Sequence, residues 1–250
     1  MDTEQILTQA ERQIANGDTN GAERTLLTAW PDLNRAPGDA QHALAGVRIA
    51  QRRYQEAEEL LRSAARAEPT SLRHQIALGH LLAGGDDHVG ATEAYANAMR
   101  INPNWPGLIV DYAMACYKSG RYDEAEKAAL HWIAAEPSAA AHDTLSCALR
   151  AQGKPQEALA AADDALRINP NHAGALHSRA AALLALGRHQ DALSILDSLI
   201  GGGVQGPSLY LNRGKALLAL KREREAAETF AEGARRYPAD NELQRAASRR

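Results

Sequence analysis

The sequence predicts an all-α fold, an α-solenoid of tandem antiparallel helix pairs, and three observations predict it. An alanine returns at one register, at Ala22, Ala57, Ala91, Ala125, Ala158, Ala192 and Ala226, with separations of 35, 34, 34, 33, 34 and 34 residues. A fixed period of that length marks an array of two-helix units rather than one globule. A second small residue keeps step twelve residues earlier, at Ala10, Ala45, Gly79, Ala113, Ser146, Ala180 and Gly214. In an antiparallel pair these positions face each other where the backbones come nearest, and a side chain beyond a methyl or hydroxymethyl would push the helices apart. The punctuation repeats as well. Gly17, Gly120, Gly153 and Gly187 lie five residues before their alanines, where a left-handed residue ends the first helix. Pro69, Pro103, Pro137, Pro170 and Pro238 lie twelve residues after theirs and stop the second helix.

Taken in order, the units start near Thr3, Gly38, Leu72, Pro106, Ala139, Ala173 and Pro207. They span about 3–37, 38–71, 72–105, 106–138, 139–172, 173–206 and 207–240, in one elongated domain over 1–250, with 241–250 a capping or truncated helix. The first unit carries Gln9 and Gln13 where later units carry Leu, as an end unit with one unpacked face requires, and its second helix is expected to stop early at Trp30-Pro31. Units two, four and six share a helix start, Arg53-Tyr54-Gln55-Glu56-Ala57, Arg121-Tyr122-Asp123-Glu124-Ala125 and Arg188-His189-Gln190-Asp191-Ala192. In the fourth unit the usual large-then-small order is reversed, with Ala129 in the bulky place and Trp132 in the small one, so volume is kept. The sixth unit has Gly201-Gly202-Gly203-Val204-Gln205-Gly206 in place of its proline. Its second helix is expected to end about a turn early, around Ile200, because each glycine costs a helix about 1 kcal/mol.

This register resembles the tetratricopeptide repeat family, whose 34-residue unit has small residues at its eighth and twentieth positions and proline at its thirty-second. The resemblance covers nearly the whole chain, and Ala139 to His172 match it best, with Gly153, Ala158, Ala165 and Pro170 all in place. It implies a right-handed superhelix with a concave groove and protein binding; it does not imply catalysis.

Composition agrees. Net charge is -3 and the isoelectric point is near 6.3, with no basic stripe, which argues against a nucleic-acid backbone as partner. Hydrophobic residues make up 45% but aromatics only 4%, so the core rests on Ala and Leu, which favour helix and close packing. The opening Met1-Asp2-Thr3-Glu4 leads straight into a helical pattern with no secretory or membrane-spanning segment, so a cytoplasmic protein is expected. Cys116 reads as a small buried residue and Cys147 as an accessible one; their spacing suits neither a metal site nor a disulfide framework.

Motifs that carry chemistry are few. No Gly-rich phosphate loop opens a helix, and neither a nucleophile elbow nor a histidine pair at metal-ligand spacing occurs, so no catalytic residue, cofactor or metal is expected. His142 falls on a core-facing stripe and His172 in a turn. Asp86-Asp87 reads as a turn former, and Asp163-Asp164 as helix neighbours pointing to different faces.

Helical geometry locates the face that can bind. On each first helix the fourth, seventh, eighth and eleventh positions form the core stripe, so the second, fifth, ninth and twelfth lie opposite. That face carries Val110, Asp111, Met114 and Tyr117, then Asp143, Cys147 and Arg150, then His177, Ala181 and Leu184. In the family this side lines the concave groove, and Asp111 and Asp143 are expected to stand there clear of the core. Two uses of the repeat do not fit. Three consecutive units never supply the lysine and asparagine set that grips an acidic chaperone tail. The asparagine ladder of sugar-transferring relatives is replaced by Thr8, Ala43, Ala77, Asp111, Thr144 and Ser178 before Asn212. The expectation is a non-catalytic adaptor holding an extended peptide or a helix of a partner protein. The alternative is the recognition arm of a larger transferase, oxygenase or sulfotransferase whose catalytic domain is absent from this chain.

Overall fold

The structure, a computed structural model, describes residues 2–105 and 107–248, and among them every regular element is helical. The residues gather into two compact units, 1–119 and 120–250. The first holds α1 (Thr3–Ala15), α2 (Thr19–Ala29), α3 (Gly38–Ala50), α4 (Tyr54–Ala67), α5 (Leu72–Gly84), α6 (His88–Ile101) and α7 (Leu108–Lys118), with a 3-10 turn at Leu33–Arg35. The second holds α8 (Tyr122–Ala135), α9 (Ala139–Ala151), α10 (Pro155–Ile168), α11 (Ala173–Ala185), α12 (His189–Gly201), α13 (Pro207–Ala219), α14 (Glu223–Arg236) and α15 (Asn241–Ser248). The chain is an all-α solenoid. First helices open at the expected Thr3, Gly38, Leu72, Ala139, Ala173 and Pro207. The expected start at Pro106 lies outside the described residues, and α7 opens at Leu108 after a left-handed Gly107.

The small-residue register is the packing register. All seven repeat alanines are fully buried, as are Ala10, Ala45, Ala113, Ser146 and Ala180. At the two glycines of the earlier position the limit is a ring from the paired helix. A Cβ on Gly79 would stand 2.7 Å from Tyr95 Cδ1, and one on Gly214 would stand 2.7 Å from Phe230 Cδ1. Glycine therefore appears where the second helix carries an aromatic residue. Where it carries Leu61 or Leu196, alanine suffices at Ala45 and Ala180. The inverted pair also packs, with Ala129 fully buried and Trp132 nearly so.

First helices end through one hydrogen-bond closure, whatever the residue. Gly17, Gly120, Gly153 and Gly187 have φ between +75° and +81°. Arg52, Asp86 and Lys221 hold the same place in the other three units and are also left-handed, at +61°, +64° and +64°. After Gly17, Arg52, Asp86, Gly153, Gly187 and Lys221 the following amide reaches back over the turn, as in Lys154 N to Leu149 O at 2.9 Å and Arg222 N to Leu217 O at 2.9 Å. Closing these terminal carbonyls fixes the left-handed residue between them.

The second helix of the sixth unit ends within a residue of the expected Ile200, but it is not a turn short. Helix α12 runs to Gly201 and loses one residue against the 14 of α10, not a turn. The glycines cap the helix instead of unwinding it: Gly202 N bonds Ser198 O at 2.9 Å and Val204 N bonds Leu199 O at 3.0 Å across a left-handed Gly203. Helix α2 does stop at Ala29, with Trp30 as its cap.

Leucines fill the space between pairs. Leu61, Leu82 and Leu108 lie in the core of the first unit, and Leu183, Leu196 and Leu217 in that of the second. Arg48 of α3 is also buried, its side chain 7% exposed, and pairs with Glu23 of α2 at 2.7 Å and Glu56 of α4 at 3.2 Å, so its burial is compensated. Among the described residues no helix is long and apolar enough to cross a membrane.

Candidate functional site

In the second unit the expected binding face is built on α9, α11 and α13, whose polar side chains are joined from helix to helix. Ser178 Oγ donates to Asp143 Oδ1 at 2.5 Å, and Cys147 Sγ lies 3.3 Å from Ser178 Oγ. Because the serine proton goes to the carboxylate, the thiol donates to the serine oxygen. One helix further on, Asn212 Nδ2 lies 3.0 Å from His177 Nε2. Burial and the Arg150 charge push His177 below the usual histidine range, only partly opposed by Asp143, so a neutral ring accepts the amide proton.

Asp143 corrects the sequence expectation. Its side chain is 18% exposed rather than clear of the core. Its carboxylate lies so close over the first turn of α11 that a Cβ on Gly174 would overlap it. Burial raises the Asp143 carboxyl above its ordinary value, against the lowering effect of the Ser178 hydrogen bond and the nearby histidines. His172 stands 3.9 Å from Asp143, but its Nδ1 already accepts Ala175 N at 3.1 Å as the cap of α11. Cys147 is less accessible than expected. Burial first, and then the Asp143 charge, push its thiol up, which keeps it protonated and poor as a nucleophile. Ala181 is half-buried on the same face.

In the first unit the expected residues sit together on α7. Met114 is 40% exposed, and Val110, Asp111 and Tyr117 are half-buried. Asp111 Oδ2 accepts from His80 Nε2 of α5 at 3.0 Å. Two helices earlier in the chain, on α3, His42 is pushed down to about 4 by burial and by the charges of Arg73 and His74. Among the described residues one group of metal-competent side chains converges, Asp39, Glu68 and His74.

Sequence reasoning missed the partners His80, Ser178 and Asn212 as members of one pattern. The sixth residue of a repeat unit pairs with the fifth or ninth residue of the unit before it. That gives spacings of 35 in Asp143 to Ser178 and His177 to Asn212, and of 31 in Cys147 to Ser178 and His80 to Asp111. The signal was the same period that produced the fold. Chemically these rungs offer donors, acceptors and a few apolar contacts, but no activated nucleophile.

A tetratricopeptide-repeat model matches residues 81–146 and 149–205. The chain belongs to the tetratricopeptide repeat family. No curated protein matches it significantly. Among solved structures this tetratricopeptide repeat chain is similar to a repeat protein of Parabacteroides merdae, at 17% identity and a TM-score of 0.74 over 98% of this chain and 96% of that one. It is similar to a thermophilic repeat protein of Thermus thermophilus, at 23% identity and 0.61 over 71% and 98%. A third is YrrB, described as having an unusual peptide-binding site, at 21% identity and 0.63 over 71% and 92%. At these identities the likeness is one of fold, and this tetratricopeptide repeat chain shares its architecture with interaction scaffolds.

Proposed function

We infer that the chain is a non-catalytic cytoplasmic adaptor that holds an extended peptide or a helix of a partner protein against its first helices. The observation that carries this reading is the character of α7, where a 40% exposed Met114 stands on the same face as Val110, Asp111 and Tyr117. Exposed thioether surface beside a carboxylate suits a segment with apolar side chains and a basic or donor group. The described peptide-binding site of YrrB, on a fold of the same kind, supports it.

Photo-crosslinking tests it. A photoreactive phenylalanine analogue at Met114 or Ala181, on first helices, is expected to trap a partner polypeptide in cells. The same analogue at Leu130 or Ile168, which are 49% exposed on second helices, is expected to trap none. Adducts at the second-helix positions alone would place the binding surface elsewhere and overturn the reading.

A further inference from the structure

We propose that Asp39, Glu68 and His74 form a site for a divalent transition-metal ion of the Zn2+ class, tying α3, the end of α4 and α5 together. One donor atom from each residue lies within 4.8 Å of the other two. Asp39 is in the first turn of α3, Glu68 caps α4, and His74 opens α5, so three consecutive helices converge on the point.

The imidazole of His74 is fully buried, yet it has carboxylates on both sides and unused bonding capacity. Its Nε2 is 3.3 Å from Asp39 Oδ1, within hydrogen-bond reach, so that edge of the ring can donate to the carboxylate as a metal-bound histidine does to its outer-shell partner, leaving the other nitrogen for the ion. Its Nδ1 is buried without a hydrogen-bond partner and faces Glu68 Oε2 at 4.0 Å. An unpartnered Nδ1 4.0 Å from a carboxylate also occurs at His142, beside Asp164, so what singles out His74 is that two carboxylates converge on a fully buried ring and leave space for a cation.

The surroundings hold the donors in place. Gly38 N donates to Glu68 Oε1 at 3.2 Å and orients the carboxylate, as outer-shell bonds do in metal sites. A Cβ on Gly38 would stand 2.6 Å from Glu68 Oε1 and 3.0 Å from His74 Cε1, so a side chain there would displace the carboxylate from this position. The ring of His42 lies 5.2 Å from that of His74 and walls the site on the α3 side. A mixed set of one imidazole and two carboxylates selects a borderline cation over Ca2+ or Mg2+, which take oxygen-only shells. Asp39 and His74 are 35 residues apart, the spacing that joins neighbouring first helices elsewhere, but the third donor, Glu68, comes from the end of the helix between them.

The test is Zn2+ titration of the full chain after chelator treatment, by competition with a chromophoric chelator. The expected result is one strong equivalent in roughly the micromolar range, unaffected by millimolar Ca2+ or Mg2+, with a rise in melting temperature in excess Zn2+. Glu68→Gln with Asp39→Asn alters only half-exposed side chains, so the fold should persist by circular dichroism while affinity falls by about tenfold or more. His74→Gln is the stricter variant but is fully buried, so nitrogen-15 resonances of the histidine rings in the parent serve beside it: His74 should shift on Zn2+ addition. No strong equivalent, equal binding by the double variant, or a shift confined to other histidines would overturn the proposal.

Discussion

Ser146 Oγ donates a 2.7 Å hydrogen bond to the carbonyl oxygen of Ala158, joining the two small positions that recur twelve residues apart. The contact is possible only because α9 and α10 meet closely at both residues, each fully buried. Ala158→Leu should therefore force a branched side chain into the crossing and destabilise the second unit by about 1 to 3 kcal/mol or more. Ala181→Leu, at a half-buried position on α11, should cost much less. Equal losses of denaturation midpoint at the two positions would show the faces to be misassigned.

Arg52, Asp86 and Lys221 show where a local rule yields to a global one. Arginine and lysine do not favour a left-handed backbone, and aspartate only tolerates it better, yet each adopts it because the helix-ending carbonyls require closure there. Arg52→Gly and Lys221→Gly remove that strain at exposed sites and should stabilise the protein by about 0.5–1 kcal/mol each, net of the added freedom of glycine when unfolded. A fall in melting temperature in either variant would mean that the arginine or lysine side chain contributes more than the backbone loses.

The same positions explain what was legible in the sequence. The alanine register, the helix starts and the inverted Ala129 and Trp132 pair were readable because they are set within one repeat, by helical period and volume. The first-helix closure at Arg52 and Lys221 was not, since those side chains give no hint of φ, whereas Asp86 belonged to a pair readable as a turn former. The glycine run misled by its intrinsic helix cost; capping hydrogen bonds at Gly202 and Val204 recovered most of the turn. At the candidate site, the face was legible but the pairing across it was not. Asp143 looked solvent-facing by helical angle, and only the approach of Gly174 and Ser178 from the next first helix removes it from water.

Acid should weaken the second unit through His177. Its folded-state pKa lies below the ordinary 6.5 because burial and Arg150 disfavour the charged ring. The stability linked to its neutral form is thus complete above about pH 6.5 and lost as pH falls from there through the folded value. His177→Gln keeps an acceptor for Asn212 and removes the titration. Urea midpoints at pH 7.5 and 5.0 should fall further in the parent than in the variant. Asp143 has the opposite sign, since its raised carboxyl loses stability as pH rises through its folded value; its burial is common to both proteins, so only its coupling to the His177 charge enters the difference. Identical pH dependence would show that His177 is not desolvated as its burial implies.

Binding on α7 can be tested without disturbing the core, because Asp111 and Met114 are not among its buried residues. Asp111 pairs with His80 across two partly exposed side chains, 41% and 56%, and such pairs contribute little to stability. Asp111→Lys should therefore melt within about 0.5 kcal/mol of the parent while repelling any basic group the partner brings. Met114→Glu should add the cost of pressing a carboxylate against apolar partner surface. Each change should weaken a crosslink-identified partner by about tenfold, or about 1.4 kcal/mol, measured by calorimetry on the folded variants. Asp143→Lys is not an equivalent test: the carboxylate is enclosed by Ser178 and Gly174, so reversal there would unfold α11 and mimic a loss of binding. If the partner binds Asp111→Lys and Met114→Glu as tightly as the parent, the α7 face is not the site, and the exposed second-helix residues Leu130 and Ile168 become the surface to vary next.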